Sequence, residues 1–310
     1  MVIGGVNSDY LVRGARLPAP GETLQGEVFR EGAGGKGANQ AVGIARLGAR
    51  VALVGRIGRD ARGDAICAAL RAEGLDLSLV SRDAESPTGA ALIAVDRNGE
   101  KQIMTAPGAN HALSEADVWA GQARLASAEV LLAGLEVPVA AVSAALRLGK
   151  AAGVRTLLDP APAVPLSEEL LRLVDVNSPN DNEAEVLTNV KVSDARSAAQ
   201  CARVLLARGA GAAVVRGGRD GTLVATSTEQ HVIPRHSVSS VDATGAGDAF
   251  MAALAVALAE RRSLVDAAVF ANAAAAFSTT RVGAQPGLPR RDELAPLLAE
   301  HRVLVSRWAM

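Results

Sequence analysis

The stretch Val130-Leu131-Leu132-Ala133, followed by Val139 to Ala152 and then by Thr156-Leu157-Leu158, decides the fold class. Two short apolar runs without polar alternation read as strands buried on both faces, and the segment between them carries its apolar residues at helical spacing. Strand, helix and strand in that order make a βα unit around a largely parallel sheet. The pattern repeats outward. Val51-Ala52-Leu53-Val54 is a third buried strand, and Gly37 to Leu47, Ala195 to Arg208 and Gly247 to Ala259 are predicted helices rich in alanine, the best helix former.

Two stretches break the alternation. Gly89 to Val95 and Lys101 to Thr105 are strand-like, and Asp96-Arg97-Asn98-Gly99-Glu100 between them contains the Asn-Gly hairpin signal. Tyr10 to Arg30 carries Pro18, Pro20 and Gly21 and lacks a helical period. Together they read as a small β-sheet, a candidate lid formed by insertions at about 10–30 and 87–107; an edge hairpin with no such role is the plainer alternative. Without a fixed repeat or a linker rich in Pro, Gly or Ser, the rest is expected to be a single α/β domain over 1–310.

Composition limits the partners. With 49% hydrophobic residues the 310-residue chain can bury a large core. Its 32 basic residues face 33 acidic ones, which leaves no surplus charge for a nucleic-acid backbone. The scattered aromatics (Tyr10, Phe29, Trp119, Phe250, Phe270, Phe277, Trp308) offer no base-stacking surface. Cys67 and Cys201 have neither metal-ligand spacing nor the density of a disulfide scaffold, so two free thiols in a reducing cytoplasm are expected. The longest apolar run, Ala249 to Ala259, is too short to span a bilayer, and the first residues carry no basic leader; no membrane association is expected.

The chemistry concentrates in Val241-Asp242-Ala243-Thr244-Gly245-Ala246-Gly247-Asp248-Ala249-Phe250. Small residues running into an apolar helix let backbone N–H groups point outward as an anion nest, aided by the helix dipole. Gly245, Ala246 and Gly247, with the backbone of Asp248, are therefore read as an anion hole. A carboxylate there would repel phosphate, but it can take the proton from a hydroxyl that attacks the phosphate, which makes Asp248 the candidate general base. A helix-start carboxylate of purely structural use is the competing reading. A Walker A loop fails because Gly35-Lys36 is followed by Gly37, and a dinucleotide fingerprint fails because Phe250 stands where its last glycine belongs.

Asp242 to Asp248 resembles the C-terminal signature of the ribokinase (PfkB-type) family of carbohydrate kinases, and Gly34-Gly35-Lys36-Gly37-Ala38-Asn39-Gln40 resembles its N-terminal one. Asn7-Ser8-Asp9, Pro20-Gly21-Glu22-Thr23, Gly108-Ala109-Asn110, Asp159-Pro160-Ala161-Pro162, Pro179-Asn180 with Glu183, and Thr280 to Pro286 extend the likeness over essentially the whole chain. The resemblance implies a three-layer fold with a small β-sheet lid. It further implies an ATP-dependent sugar kinase, with the 5-hydroxyl of D-ribose as the expected acceptor.

The same resemblance assigns Asn7, Ser8, Asp9, Gly35, Lys36, Gly37, Ala38, Asn39 and Glu136 to the sugar, although Asn7 and Asp9 also suit a turn and Glu136 a surface loop. Only four of the 32 basic residues are lysine, which makes Lys36 a chosen point charge. Asn180, the segment Arg216-Gly217-Gly218-Arg219-Asp220-Gly221, Gly247, Asp248 and Asn272 are implied to hold ATP. Asn180 and Glu183 would organise Mg2+ through water, while the same Asn-x-x-Glu spacing equally describes a capping box. Asp242, Thr244, Ser278, Arg281, Gly283 and Gly287 correspond to a K+ site built largely from backbone carbonyls. Arg216 is a departure, since many members carry Thr there; it could reach a phosphate or alter nucleotide preference. A small exposed sheet with an apolar face further predicts a homodimer paired through the lids. Alternatives are a relative acting on 2-deoxyribose, another pentose or hexose, or a nucleoside, and a non-catalytic sugar or nucleotide sensor.

Overall fold

The computed structural model describes residues 1–97, 99–300 and 306–308. Its strands are β1 (Val2–Ile3), β2 (Asn7–Arg13), β3 (Val28–Gly34), β4 (Leu53–Gly58), β5 (Val80–Asp83), β6 (Gly89–Val95), β7 (Lys101–Ala106), β8 (Val130–Gly134), β9 (Arg155–Asp159), β10 (Val176–Asn177), β11 (Ala213–Arg216), β12 (Thr222–Ala225), β13 (Gln230–Ile233) and β14 (Ser306–Trp308). Among the described residues they form two sheets. The larger has the order β14-β13-β12-β11-β10-β9-β8-β1-β4-β5. It is parallel from β5 to β11 and antiparallel beyond, through β12, β13 and β14.

The apolar runs become strands of this sheet because it is covered on both faces. Side chains alternate between two cores: Val2, Leu53, Leu132, Leu157 and Val214 face one, and Ile3, Val54, Leu131, Leu158 and Val215 the other. The first core is closed by the helices Lys36–Arg46, Ala61–Ala72, Ala246–Ala259 and Leu264–Ser278. Val139–Ala151 and Ala195–Ala207 close the second. Removing each large aliphatic side chain from water contributes about 1.5–3 kcal/mol. Cys67 and Cys201 are free and buried on opposite sides of the sheet, and burial raises both thiols above their usual pKa, Cys201 to about 11.

Helix ends fall within about two residues of the sequence expectation, the usual scatter of frayed termini. The run expected as a strand over 51–54 is shifted: Ala52 makes one bridge to Asp76 and the strand proper continues to Gly58. Asp60 explains the new end, because its carboxylate accepts the N–H of Gly63 and starts the next helix.

The smaller sheet has the order β3-β2-β6-β7. The hairpin of β6 and β7 forms as expected, with Leu92 opposite Met104. Asn98 of the turn signal lies outside the described residues, and its neighbour Gly99 has φ 84°. The extended stretch expected over 10–30 is strand only at its ends, in β2 and β3; the prolines lie in the irregular segment between. Val12, Phe29, Leu92 and Met104 share one face and stay exposed, Phe29 at 62% and Met104 at 73%. Asn7 and Asp9 lie on the opposite face by strand alternation.

The two sheets are continuous through the backbone. β1 ends at Ile3 and β2 begins at Asn7, while β3 returns at Gly34 and runs straight into the helix at Lys36. β1 is also the point where the order of the large sheet reverses, with β4 on one side and β8 on the other, so a crevice opens at the carboxyl ends of the strands.

Candidate active site

Asp248 stands in that crevice. Gly245 caps the Ala246–Ala259 helix with φ 82°, a conformation that favours glycine, and Asp248 follows within the first turn. Among the described residues, Gly247 and Asp248 donate no backbone hydrogen bond, as befits the first turn of a helix. The Ala246 N–H is turned back to the carbonyl of Ala243 at 3.3 Å. The open donors of the loop are thus those of Gly245, Gly247 and Asp248, one fewer than the Gly245–Asp248 set read from sequence. Asn39 Nδ2 donates to Asp248 Oδ2 at 2.9 Å and Gln40 Nε2 to Oδ1 at 3.3 Å. Lys36 Nζ lies 4.0 Å from Asp248 Oδ1 and 3.9 Å from Asp159 Oδ2.

These neighbours define the charge state. Burial raises the pKa of Asp248, with Lys36 opposing and Asp159 adding to the rise. Burial works to lower the Lys36 ammonium, but the carboxylates of Asp159, Asp248 and Glu183 outweigh it and hold that group above its ordinary value. A base with a raised pKa and a fixed cation beside it is equipped to accept a proton and to balance charge in the same place.

A polar wall faces Asp248 from the small sheet. Asn7 is buried, and its Oδ1 accepts Asn110 Nδ2 at 2.7 Å. Asp9 points inward beside Gly34, where a Cβ would lie 2.1 Å from Asp9 Cγ, so only glycine leaves room for that carboxylate. Its Oδ1 is buried without a hydrogen-bond partner among the described residues, and burial together with the Asp248 charge pushes its pKa up to about 7. Glu136, just past β8, accepts the backbone N–H of Lys36 at 2.7 Å, and burial pushes it to about 7. Ser8 falls on the other face of β2 and does not join Asn7 and Asp9. Gly35, Gly37 and Ala38 are buried at the start of the Lys36–Arg46 helix and contribute backbone.

On the other side of Asp248 lies a second charged group. Arg216, at the end of β11, donates Nη2 to Asp159 Oδ1 and to the carbonyl of Ser178, both at 2.8 Å, and to Glu183 Oε2 at 3.2 Å. It is turned into the floor of the crevice. Asn180 and Glu183 form a complete capping box, with Glu183 also accepting Asn180 Nδ2 at 2.8 Å. Gly217, Gly218 and Gly221 have φ of 129°, 67° and 112°, making an open turn after β11. Arg219 and Asp220 lean toward the Ala195–Ala207 helix: Arg219 lies 3.6 Å from Asp194, and Asp220 accepts the N–H of Ala195. Asn272 donates to the carbonyl of Pro234 at 2.8 Å and lies 3.3 Å from Thr222 Oγ1.

Asp242 ties two loops together, accepting N–H groups from Thr244 and Gly283, each at 2.8 Å. Despite burial, these bonds hold its pKa below the usual carboxylate range. Ser278 is fully buried, and a Cβ on Gly287 would come within 2.9 Å of its carbonyl, so this backbone is closely packed. The Arg281 side chain points away, to Glu293 at 2.7 Å and over the Phe277 ring at 4.5 Å.

Four residues without an assigned role in the sequence reading join the site: Gln40, Asn110, Asp159 and Gln285. Asp159 accepts Gln40 Nε2 at 2.8 Å, and Gln285 Nε2 donates to Asn39 Oδ1 at 3.1 Å. Asp159 carried a readable signal, because it ends an apolar strand run and precedes Pro160, where open α/β sheets present ligands.

The sheet order, the helix-capping anion loop and the buried carboxylates on either side define a phosphate-handling α/β enzyme, and the chain belongs to the pfkB family of carbohydrate kinases, whose model matches residues 1–291. It is a phosphotransferase acting on a hydroxyl group. A ribokinase of Haemophilus influenzae is 40% identical over 97% of this chain and 98% of its own length, and one of Staphylococcus aureus is 35% identical over 95% and 97%. The structure of an Arabidopsis thaliana ribokinase complexed with ribose and ATP superposes with a TM-score of 0.86 at 32% identity, covering 96% of this chain and 97% of that one.

Proposed function

We propose that the chain transfers the γ-phosphate of ATP to the 5-hydroxyl of D-ribose, giving ribose 5-phosphate. The observation that carries this reading is the position of Asp248: buried beside the open N–H groups of Gly245, Gly247 and its own backbone, and held by Asn39 on the side nearer the sugar wall. The ribokinases among the relatives, one of them complexed with ribose and ATP, support the choice of substrates.

In the mechanism, the sugar lies on Asn7, Asp9, Asn39 and Glu136, and the small sheet covers it as a lid that keeps water from the phosphate. Asp248 takes the proton of the primary hydroxyl, and the oxygen attacks the γ-phosphorus in line. The N–H groups of Gly245, Gly247 and Asp248 receive the charge that spreads over the phosphoryl oxygens. Lys36 stays charged and balances Asp248 as the transfer proceeds.

ATP implies magnesium. The donor chemistry fits a hydrated ion: Asn180 and Glu183 offer oxygens, but both are engaged in the capping box, so they would hold Mg2+ through its water shell. When bound, that ion neutralises phosphate charge. A monovalent cation, K+, would be held mostly by backbone carbonyls of the segment from Ser278 to Gly287, which Asp242 ties to the anion loop, and would brace that loop from Thr244 onward.

The exposed apolar face of Val12, Phe29, Leu92 and Met104 supports a homodimer formed lid to lid. Two buried free thiols support a reducing compartment such as the cytoplasm, and no helix among the described residues is long and apolar enough to cross a membrane.

The test is ADP release with Mg-ATP across ribose, 2-deoxyribose, fructose and adenosine, with and without K+. Turnover strongest on ribose and stimulated by K+ is expected. Preference for another acceptor would move the substrate assignment and leave the chemistry, and no turnover on any acceptor would refute the kinase reading.

A further inference from the structure

Arg216 occupies a place no simple structural role explains. Its Nη2 is shared among Asp159, Glu183 and the Ser178 carbonyl, its Nη1 reaches the Gly247 carbonyl at 3.4 Å, and the guanidinium lies 5.6 Å from the Phe250 ring centroid. The side chain is only 11% exposed, and Nε is buried without a hydrogen-bond partner among the described residues. A guanidinium placed for stability alone has its donors satisfied, since each buried unpaired donor is costly. Here the two carboxylates are served first, and the donor not aimed at them is left over.

One of those carboxylates, Glu183, is the acid that the reading above places next to the magnesium of Mg-ATP, and the inference rests on that reading. Glu183 Oε2 has a positive charge 3.2 Å away. Asp159 Oδ1, the second anionic oxygen nearby, has the same cation at 2.8 Å, and its other oxygen faces Lys36. Two carboxylates without such partners would attract a divalent ion to an empty site.

We infer that Arg216 screens Glu183 and Asp159 against free divalent cations, so that the metal enters this site only in company with the nucleotide phosphates. Arg216 is a positioning residue in this scheme. Bound phosphates bring enough negative charge to make a second cation favourable, and Arg216, linked to the carbonyl of Gly247, stays beneath the anion loop. The departure from Thr read in the sequence then has a consequence: with the smaller neutral residue, the carboxylates would carry their full charge into the cleft.

The experiment is Mn2+ binding followed by electron paramagnetic resonance, on nucleotide-free protein and again with ATP. Wild-type protein is expected to leave millimolar Mn2+ largely free and to take it up when ATP is added. Arg216→Gln removes the charge and keeps hydrogen-bonding capacity; it is expected to bind Mn2+ without nucleotide about tenfold more tightly or better, the order by which one nearby charge changes a carboxylate's affinity for a proton. Arg216→Lys retains the charge and is expected to match wild type. Tight Mn2+ binding by nucleotide-free wild type would overturn the inference even if the Gln variant did not fold. So would a Gln variant no tighter than wild type, or a Lys variant that gains as much as Gln. Failure of the substrate assay with Mn2+ screening intact would count against the sugar reading alone.

Discussion

Replacing Asp9 with Asn should make the free protein more stable in alkaline solution while removing its grip on sugar. The Asp9 carboxyl sits against Gly34 with a buried, unpartnered oxygen, and burial together with the Asp248 charge pushes its pKa from 3.8 to about 7. An acid with a higher pKa folded than unfolded binds more protons in the folded state, so folding loses stability as pH rises from about 4 to about 7 and carries the whole penalty above that. Some three powers of ten in proton affinity correspond to about 4 kcal/mol at most. Water entering the open cleft relieves part of this, leaving about 2 kcal/mol. For a chain of 310 residues, that corresponds to a rise in melting temperature of about 3 °C at pH 8. At pH 5 a smaller gain should remain, because the titration is only partly crossed there. Thermal denaturation of both proteins from pH 5 to pH 8.5 measures the difference, and calorimetric titration with ribose measures the lost affinity. An Asp9→Asn variant whose advantage did not grow with pH would refute the burial argument, whatever its activity.

Further outcomes follow from the same geometry. Asp248→Asn should lower kcat by about 10² to 10⁴-fold with little change in the KM for ATP, and steady-state kinetics retaining wild-type turnover would remove Asp248 as the base. Gly34→Ala should drive the Asp9 carboxylate from its place, since the new Cβ would overlap it; the KM for ribose should rise at least about tenfold, more than the KM for ATP does. Asp242→Asn should weaken the junction between the loops at Thr244 and Gly283 and abolish most of the K+ stimulation, leaving the K+-free rate nearly unchanged. Met104→Glu should turn the lid-paired dimer into a monomer by light scattering, and a wild-type monomer would end that proposal at once.

The βα layout was legible because buried parallel strands leave unbroken apolar runs such as Val130 to Ala133, and the small sheet because its hairpin turns at a recognisable signal. The antiparallel edge of β12 and β13 was not read, as each has only four residues and little pattern to offer. Individual site residues were legible through glycine-rich motifs, which constrain neighbours along the chain. Their charge relations were not: Lys36, Asp159, Arg216 and Asp248 meet from four distant segments, and no spacing records that Arg216 faces inward to Asp159 instead of outward to a ligand. Ser8 shows the reverse case: the resemblance grouped it with Asn7 and Asp9, and strand alternation sends it to the opposite face.

The passage of the chain from β1 into β2 has a kinetic meaning. Asn7 and Asp9 belong to the inner strand of the small sheet, whereas Asp248 and the anion loop belong to the main body. On the proposed binding mode, half of the sugar's contacts travel with whatever motion the small sheet makes, and the other half stay behind. A sugar that satisfies both halves acts as the bolt between two leaves, and an acceptor lacking the matching hydroxyls leaves them unlatched. Discrimination among sugars is then expressed as the fraction of time the phosphate is shielded from water, so poor acceptors should reveal themselves by wasted ATP as much as by slow product.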